Sequence, residues 1–159
     1  MATGDTVIKS HLDKALSQMD LSARKFVTVA GILYTNEVKR LMRTSPRGGR
    51  IYKRLRASGL RNRLKGRGAR AGDYITHRAS APGEPPAVDH GNLVNSVASV
   101  EELTPKGWAT TGGSTLAKIP PALEYGTGTI APRPAFIPAL TNIKAQLEAA
   151  LVDAFKVRS

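Results

Sequence analysis

The chain of 159 residues contains no cysteine. Disulfides and thiolate metal sites are therefore excluded, and three scattered histidines do not make a zinc site by themselves. Aromatic residues are only 5% of the chain, so an isolated core is built from small aliphatics, and subunit association is one way to supply the missing burial. No apolar run approaches the roughly 20 residues that cross a bilayer, and MATGDTVIKS lacks the apolar centre of a signal peptide. The expectation is a soluble protein without a visible export signal, compatible with a reducing compartment. Acid is scarce where base is dense: between residues 45 and 80 only Asp73 stands against eleven basic residues.

That segment holds +10 of the net charge of +12, so the charge is one local feature. Its residues are Arg47, Arg50, Lys53, Arg54, Arg56, Arg61, Arg63, Lys65, Arg67, Arg70 and Arg78. Nine are arginines, whose planar fork holds phosphate or carboxylate at two points. With six glycines in residues 46–72 the segment reads as an extended loop, with Arg50 to Leu55 and Tyr74 to Arg78 as candidate hairpin arms and little to bury between them. Arg50, Lys53, Arg54, Arg56, Arg61, Arg63, Lys65, Arg67 and Arg70 are the candidate contacts to phosphate or to an acidic partner. Neither a recognition helix nor an aromatic platform accompanies them, so contact with duplex DNA would be blind to sequence.

The length suits one domain over residues 1–159. Apolar residues from Ile8 to Leu41 recur at three- to five-residue intervals, which predicts helix over 5–44, and Asp20 and Ser22 suggest a joint near Met19 to Ser22. Ser45, Pro46, Gly48 and Gly49 end it. The basic loop or hairpin covers 45–78, and a small antiparallel sheet with proline-rich loops covers 79–137. Its strands are expected at Leu93 to Leu103, Trp108 to Thr111 and Leu116 to Tyr125. From Pro138, Leu140, Ile143, Leu147, Leu151 and Phe155 follow at spacings of three and four, giving an amphipathic C-terminal helix over 138–156. The fold class is α+β: N-terminal helical segment, small antiparallel sheet, C-terminal amphipathic helix.

Candidate chemistry is thin. Asp89, His90 and Ser96 offer acid, base and nucleophile within eight residues, but triads join residues distant in sequence, and extended neighbours such as Asp89 and His90 point apart. Gly126 to Ala131 imitates a dinucleotide fingerprint, yet Pro132 and Pro134 follow where a helix should start. Ser22 and Lys25 match Ser-x-x-Lys without its companion motifs. His11 and His77 read as solvated or hydrogen-bonded surface residues. No catalytic residues, metal or cofactor are assigned, and the chain is not expected to be an enzyme.

Two stretches are defined by shape. Pro82, Gly83, Pro85, Pro86 and Gly91 fix one chain path, and Pro120, Pro121, Gly126, Pro132, Pro134 and Pro138 fix another. The candidate subunit contacts are Pro85, Pro86, Gly91, Leu93, Glu124, Tyr125, Gly126, Thr127, Arg133, Pro134 and Phe136. Glu124 and Arg133 flank the GTGTIAP loop, either as an ion pair or as independent surface charges. Phe136 and Ile137 are expected to anchor the terminal helix.

The order PGEPPA, GNLVNS, LEYGT, RPAFIPAL and a final helix, over residues 75–155, resembles the small tail-component or neck proteins of tailed bacteriophages. That family more often has an aromatic residue where Ala135 stands and Thr or Ser where His90 stands. The resemblance implies a structural subunit of a homo-oligomeric ring at the neck or tail-completion position. Such a subunit is made in the host cytoplasm and placed in the virion, between head-connector and tail subunits and around the DNA channel, with no membrane. The rival expectation is a sequence-nonspecific nucleic-acid-binding protein acting through its Arg-rich loop. Salt dependence separates the two.

Overall fold

The computed structural model describes residues 4–56, 64, 66, 68 and 71–156. Helix α1, Gly4–Arg43, is the spine. Its 40 residues span about 60 Å, and no proline interrupts its apolar stripe. The expected joint near Met19 to Ser22 is absent. Asp20 does not cap a second helix: its Oδ1 accepts the indole N–H of Trp108 at 2.8 Å. Ser17 and Thr28 return their hydroxyls to the carbonyls of Asp13 and Arg24, so polar residues are satisfied without leaving the helix.

Two antiparallel hairpins follow the spine. Strands β1, Ile51–Leu55, and β2, Tyr74–Arg78, pair in the register Ile51↔Arg78 to Leu55↔Tyr74, at the expected arms of the basic segment. Helix α2, Asn92–Ser96, leads into β3, Val97–Thr104, which turns at Gly107 into β4, Gly107–Ser114. Leu93 to Ser96 are therefore helical and not the start of a strand, because Gly91 at φ 83° lets Asn95 N–H close a turn on its carbonyl.

The third expected strand is also a helix: α3, Ile119–Tyr125. Pro120 and Pro121 occupy its first turn, where a missing N–H leaves no bond unmade, so prolines read as strand restrictions are helix starters here. The expected C-terminal helix begins two residues early, as α4, Phe136–Asn142, and bends at buried Ile143 into α5, Lys144–Phe155. Its inward stripe is Ile143, Leu147, Ala150 and Ala154, while Leu140, Leu151 and Phe155 are exposed. Beyond Leu147, small residues and not the large ones face the spine.

Helix α1 packs against β3, β4, α4 and α5. The β3–β4 sheet approaches so closely that a Cβ on Gly31 would lie 2.8 Å from Ser99 Oγ and 2.9 Å from Thr110 Oγ1. The core gathers at the C-terminal end of the spine, where Val38, Met42, Val94, Val97, Ala135 and Ala139 are buried with Tyr34, Leu41, Val88, Leu93 and Phe136 against them. The architecture is α+β, with two two-stranded sheets: the basic hairpin, and β3–β4 where three strands were expected.

Candidate functional site

The β1–β2 hairpin is a basic arm, and alternation along β1 gives its side chains two directions. Arg54 turns towards the proline-rich loop, and its Nη1 meets Asp89 Oδ1 at 2.7 Å. The same carboxylate lies 3.5 Å from His77 Nδ1 on β2 and 3.0 Å from His90 Nδ1, and the Arg54 guanidinium also touches the His90 ring. Asp89 and His90 thus converge, because the chain bends there and is not extended. His77, read as a solvated or hydrogen-bonded surface residue, has Asp89 beside it. Ser96 takes no part in a triad with these groups: its hydroxyl donates to the Leu93 carbonyl and shares a 2.6 Å bond with Ser114.

A second acid grips the base of the arm. Glu84 Oε2 accepts the backbone N–H groups of Ala81 at 2.6 Å and Gly48 at 2.9 Å, and these bonds hold the carboxyl below its ordinary range. Ser45 donates its hydroxyl to the Pro85 carbonyl at 2.6 Å, and Gly49 and Ala79 continue the pairing below β1 and β2. The stretch from Ala81 to His90 therefore clasps the arm at its root and at mid-length. Outside the clasp, Lys53 and Arg56 are exposed, and Arg50 is exposed with its guanidinium over the Tyr52 ring at 5.6 Å. None of these three makes an ion pair among the described residues. Arg61, Arg63, Lys65, Arg67 and Arg70 lie outside the described residues.

The second shape motif is organised by Glu124, which is buried at the end of α3. Its carboxylate accepts three successive backbone N–H groups, Ala135 at 2.8 Å, Phe136 at 3.0 Å and Ile137 at 2.8 Å, which are donors otherwise orphaned at the start of α4. Its partners are thus main-chain groups, and no Glu124–Arg133 ion pair exists among the described residues. Arg133 instead donates its backbone N–H to the Leu123 carbonyl at 2.6 Å, while its buried Nε has no hydrogen-bond partner. Burial and the charge of Glu124 raise the pKa of Tyr34.

The intervening loop closes on itself: Thr127 N–H donates to the Ile130 carbonyl, and Thr127 Oγ1 accepts N–H groups from Thr129 and Ile130. Gly126 at φ 77° is required, since a Cβ would meet the Ile130 carbonyl and Pro132. Gly83 N–H donates to the Pro132 carbonyl at 2.9 Å, so the two motifs are joined to each other.

Of the candidate subunit contacts, Pro86 and Glu124 are buried, and Pro85, Gly91, Leu93, Gly126, Arg133, Pro134 and Phe136 are partly covered within the chain. Tyr125, 74% exposed, and Thr127 face outward. Phe136 packs on the core, whereas Ile137 is exposed. Sequence reasoning did not find Glu84 and Asp89 as the acids that hold the arm. The available signal was their position: with Asp73, they are the only acids between residues 45 and 100.

Among the described residues, no group of three or more His, Cys, Asp or Glu is placed to hold a metal ion, and no helix is long and apolar enough to cross a membrane. The arrangement offers charge and shape: a basic arm of fixed direction beside a rigid double loop. Compared with protein-family models, curated proteins and solved structures, the chain matches none.

Proposed function

We propose that this chain is a non-enzymatic structural subunit of the head-to-tail connection of a tailed bacteriophage. In this reading it joins the head connector to the tail as a ring at the neck or tail-completion position, around the DNA channel. The observation that carries the reading is the clasp. Two acids of the proline-rich stretch hold the basic arm in one direction, while Lys53, Arg56 and Arg50 stay outward. A protein that only needed solubility would have no use for such fixing. The resemblance in the same proline-rich stretch and in LEYGT and RPAFIPAL supplies the family. In a ring, an arm facing the lumen meets DNA phosphates, and one facing a neighbour docks on an acidic connector or tube surface. Tyr125 and Thr127 on the self-bonded loop supply an outward contact to a neighbouring subunit.

Cryo-electron microscopy of the assembled head-to-tail junction tests this. A ring of this chain around the channel is expected, and particles whose neck lacks it would overturn the reading. The second reading, a sequence-nonspecific nucleic-acid-binding protein, is favoured by the same three cations, which make no ion pair among the described residues. It requires duplex affinity that falls steeply with salt, with a slope of about −0.9 per phosphate neutralised. Changing Arg50, Lys53 and Arg56 together to Ser should reduce that slope by about 3 if all three meet phosphate.

A further inference from the structure

The apolar stripe that α1 buries from Val27 to Met42 does not end there. Towards the N-terminus it continues as Leu12, Leu16 and Met19, which are 57%, 56% and 59% exposed. Beside it, between α1 and the end of α5, runs an open groove of about 830 Å³ lined by Met19, Ser22, Phe26, Ala150, Ala154 and Phe155 among others. A second apolar pair, Ile137 and Leu140, stands one turn apart on α4, 54% and 55% exposed. The first face lies about 30 Å from the second along the spine, since Asn142 of α4 bonds Glu37.

The surface area says how much cover is missing. The chain exposes 11489 Å², against about 7,700 Å² for a compact monomer of its 17.0 kDa. Seventeen residues lie outside the described set. Even after subtracting about 2,600 Å², the most that a chain of that length exposes, the total exceeds the compact expectation for the described residues by about 1,700 Å². A specific contact removes about 800 Å² from each partner, so the excess matches a protomer with two neighbours. Residues 4–26 carry four basic and three acidic side chains, so copies of this +12 chain can approach there without strong repulsion and nucleic acid has little purchase.

We infer that the Leu12–Leu16–Met19 face and its groove receive the Ile137–Leu140 ridge of a second copy of this chain. The contact joins two different faces, so it runs head to tail and repeats around a ring. It deepens the ring reading and rests on it only for closure.

The test is the mass of the full chain by sedimentation and light scattering, from about 1 to 100 μM in 0.5 M salt, which suppresses arginine contacts. Wild type should assemble. Leu16→Asp and Ile137→Asp, both at exposed positions, should each sediment at 17.0 kDa with unchanged circular dichroism, their association weakened about 100-fold or more by the carboxylate placed in an apolar contact. Mixed, the two variants retain one good face each and should form a pair. Leu12→Lys repeats the test should Leu16→Asp fail to fold. A wild-type monomer at 100 μM overturns the inference and gives the face to a different partner, as does assembly that survives the substitutions or a mixture that stays monomeric. Assembly that survives leaves the ring itself to be judged at the neck, and a neck without the ring leaves a solution oligomer standing.

Discussion

The two ends of α1 differ in how their surroundings are held. At the C-terminal end, the arm and the proline loops are fixed by directed polar contacts: Glu84 on two N–H groups, Asp89 on Arg54, Glu124 on three N–H groups. At the N-terminal end, Leu12, Leu16, Met19 and the groove beside α5 offer apolar area with little to direct it. Polar contacts specify one geometry at modest net stabilisation, whereas apolar area stabilises in proportion to what covers it. One end is therefore finished within the chain, and the other leaves apolar area that the association inferred above would cover.

The largest break in this comparison should come from Glu124→Ala. Three N–H groups at a partly buried helix start lose their acceptor, at a cost of about 3 kcal/mol, or a fall in Tm of roughly 6–12 °C by calorimetry. Glu124→Gln should recover part of this, because one amide oxygen remains. Next, Leu147→Asp should cost about 2–3 kcal/mol in urea titration, since Leu147 lies on the inward stripe, whereas Leu151→Asp should cost under about 1 kcal/mol. Equal losses would show that the stripe is misassigned.

Asp89→Asn acts on the arm alone. Exchange of the β1 amides should accelerate about 10-fold while the global Tm moves by under about 2 °C, because an exposed ion pair orders a segment more than it stabilises the whole. The smallest effect concerns acid. Glu84 titrates below its ordinary 4.5 when folded, so its contribution is present above 4.5 and is lost as pH falls through the folded value. Glu84→Gln should therefore lower stability at pH 7, where the carboxylate contributes, and flatten the acid limb, so that the two curves converge as pH falls below 4.5.

Much of this was legible in the sequence. The 3.6-residue stripe of α1 and the two arms of the basic hairpin follow from periodicity and from glycine spacing. Pro120 and Pro121 misled because proline is equally at home at a strand edge and in a first helical turn, and what separates the two here is the burial of Glu124 and its bonds to the start of α4. Glu124 was noticed, but its partners are main-chain groups, which carry no residue identity to read. Asp89 and Arg54 are 35 positions apart in the chain, and nothing local announces their meeting. The turn towards α1 of Ala150 and Ala154, and not Leu151 and Phe155, depends on how closely two helices approach, which a single amphipathic pattern does not state.

Helix α1 also has a mechanical consequence. It runs without a break from Leu16 to Arg43, at the root of the arm, a stiff lever of about 40 Å. A tilt of about 5° at one end displaces the other by about 3.5 Å over that length. Whatever settles against Leu12, Leu16 and Met19 therefore also aims the arginines at the far end.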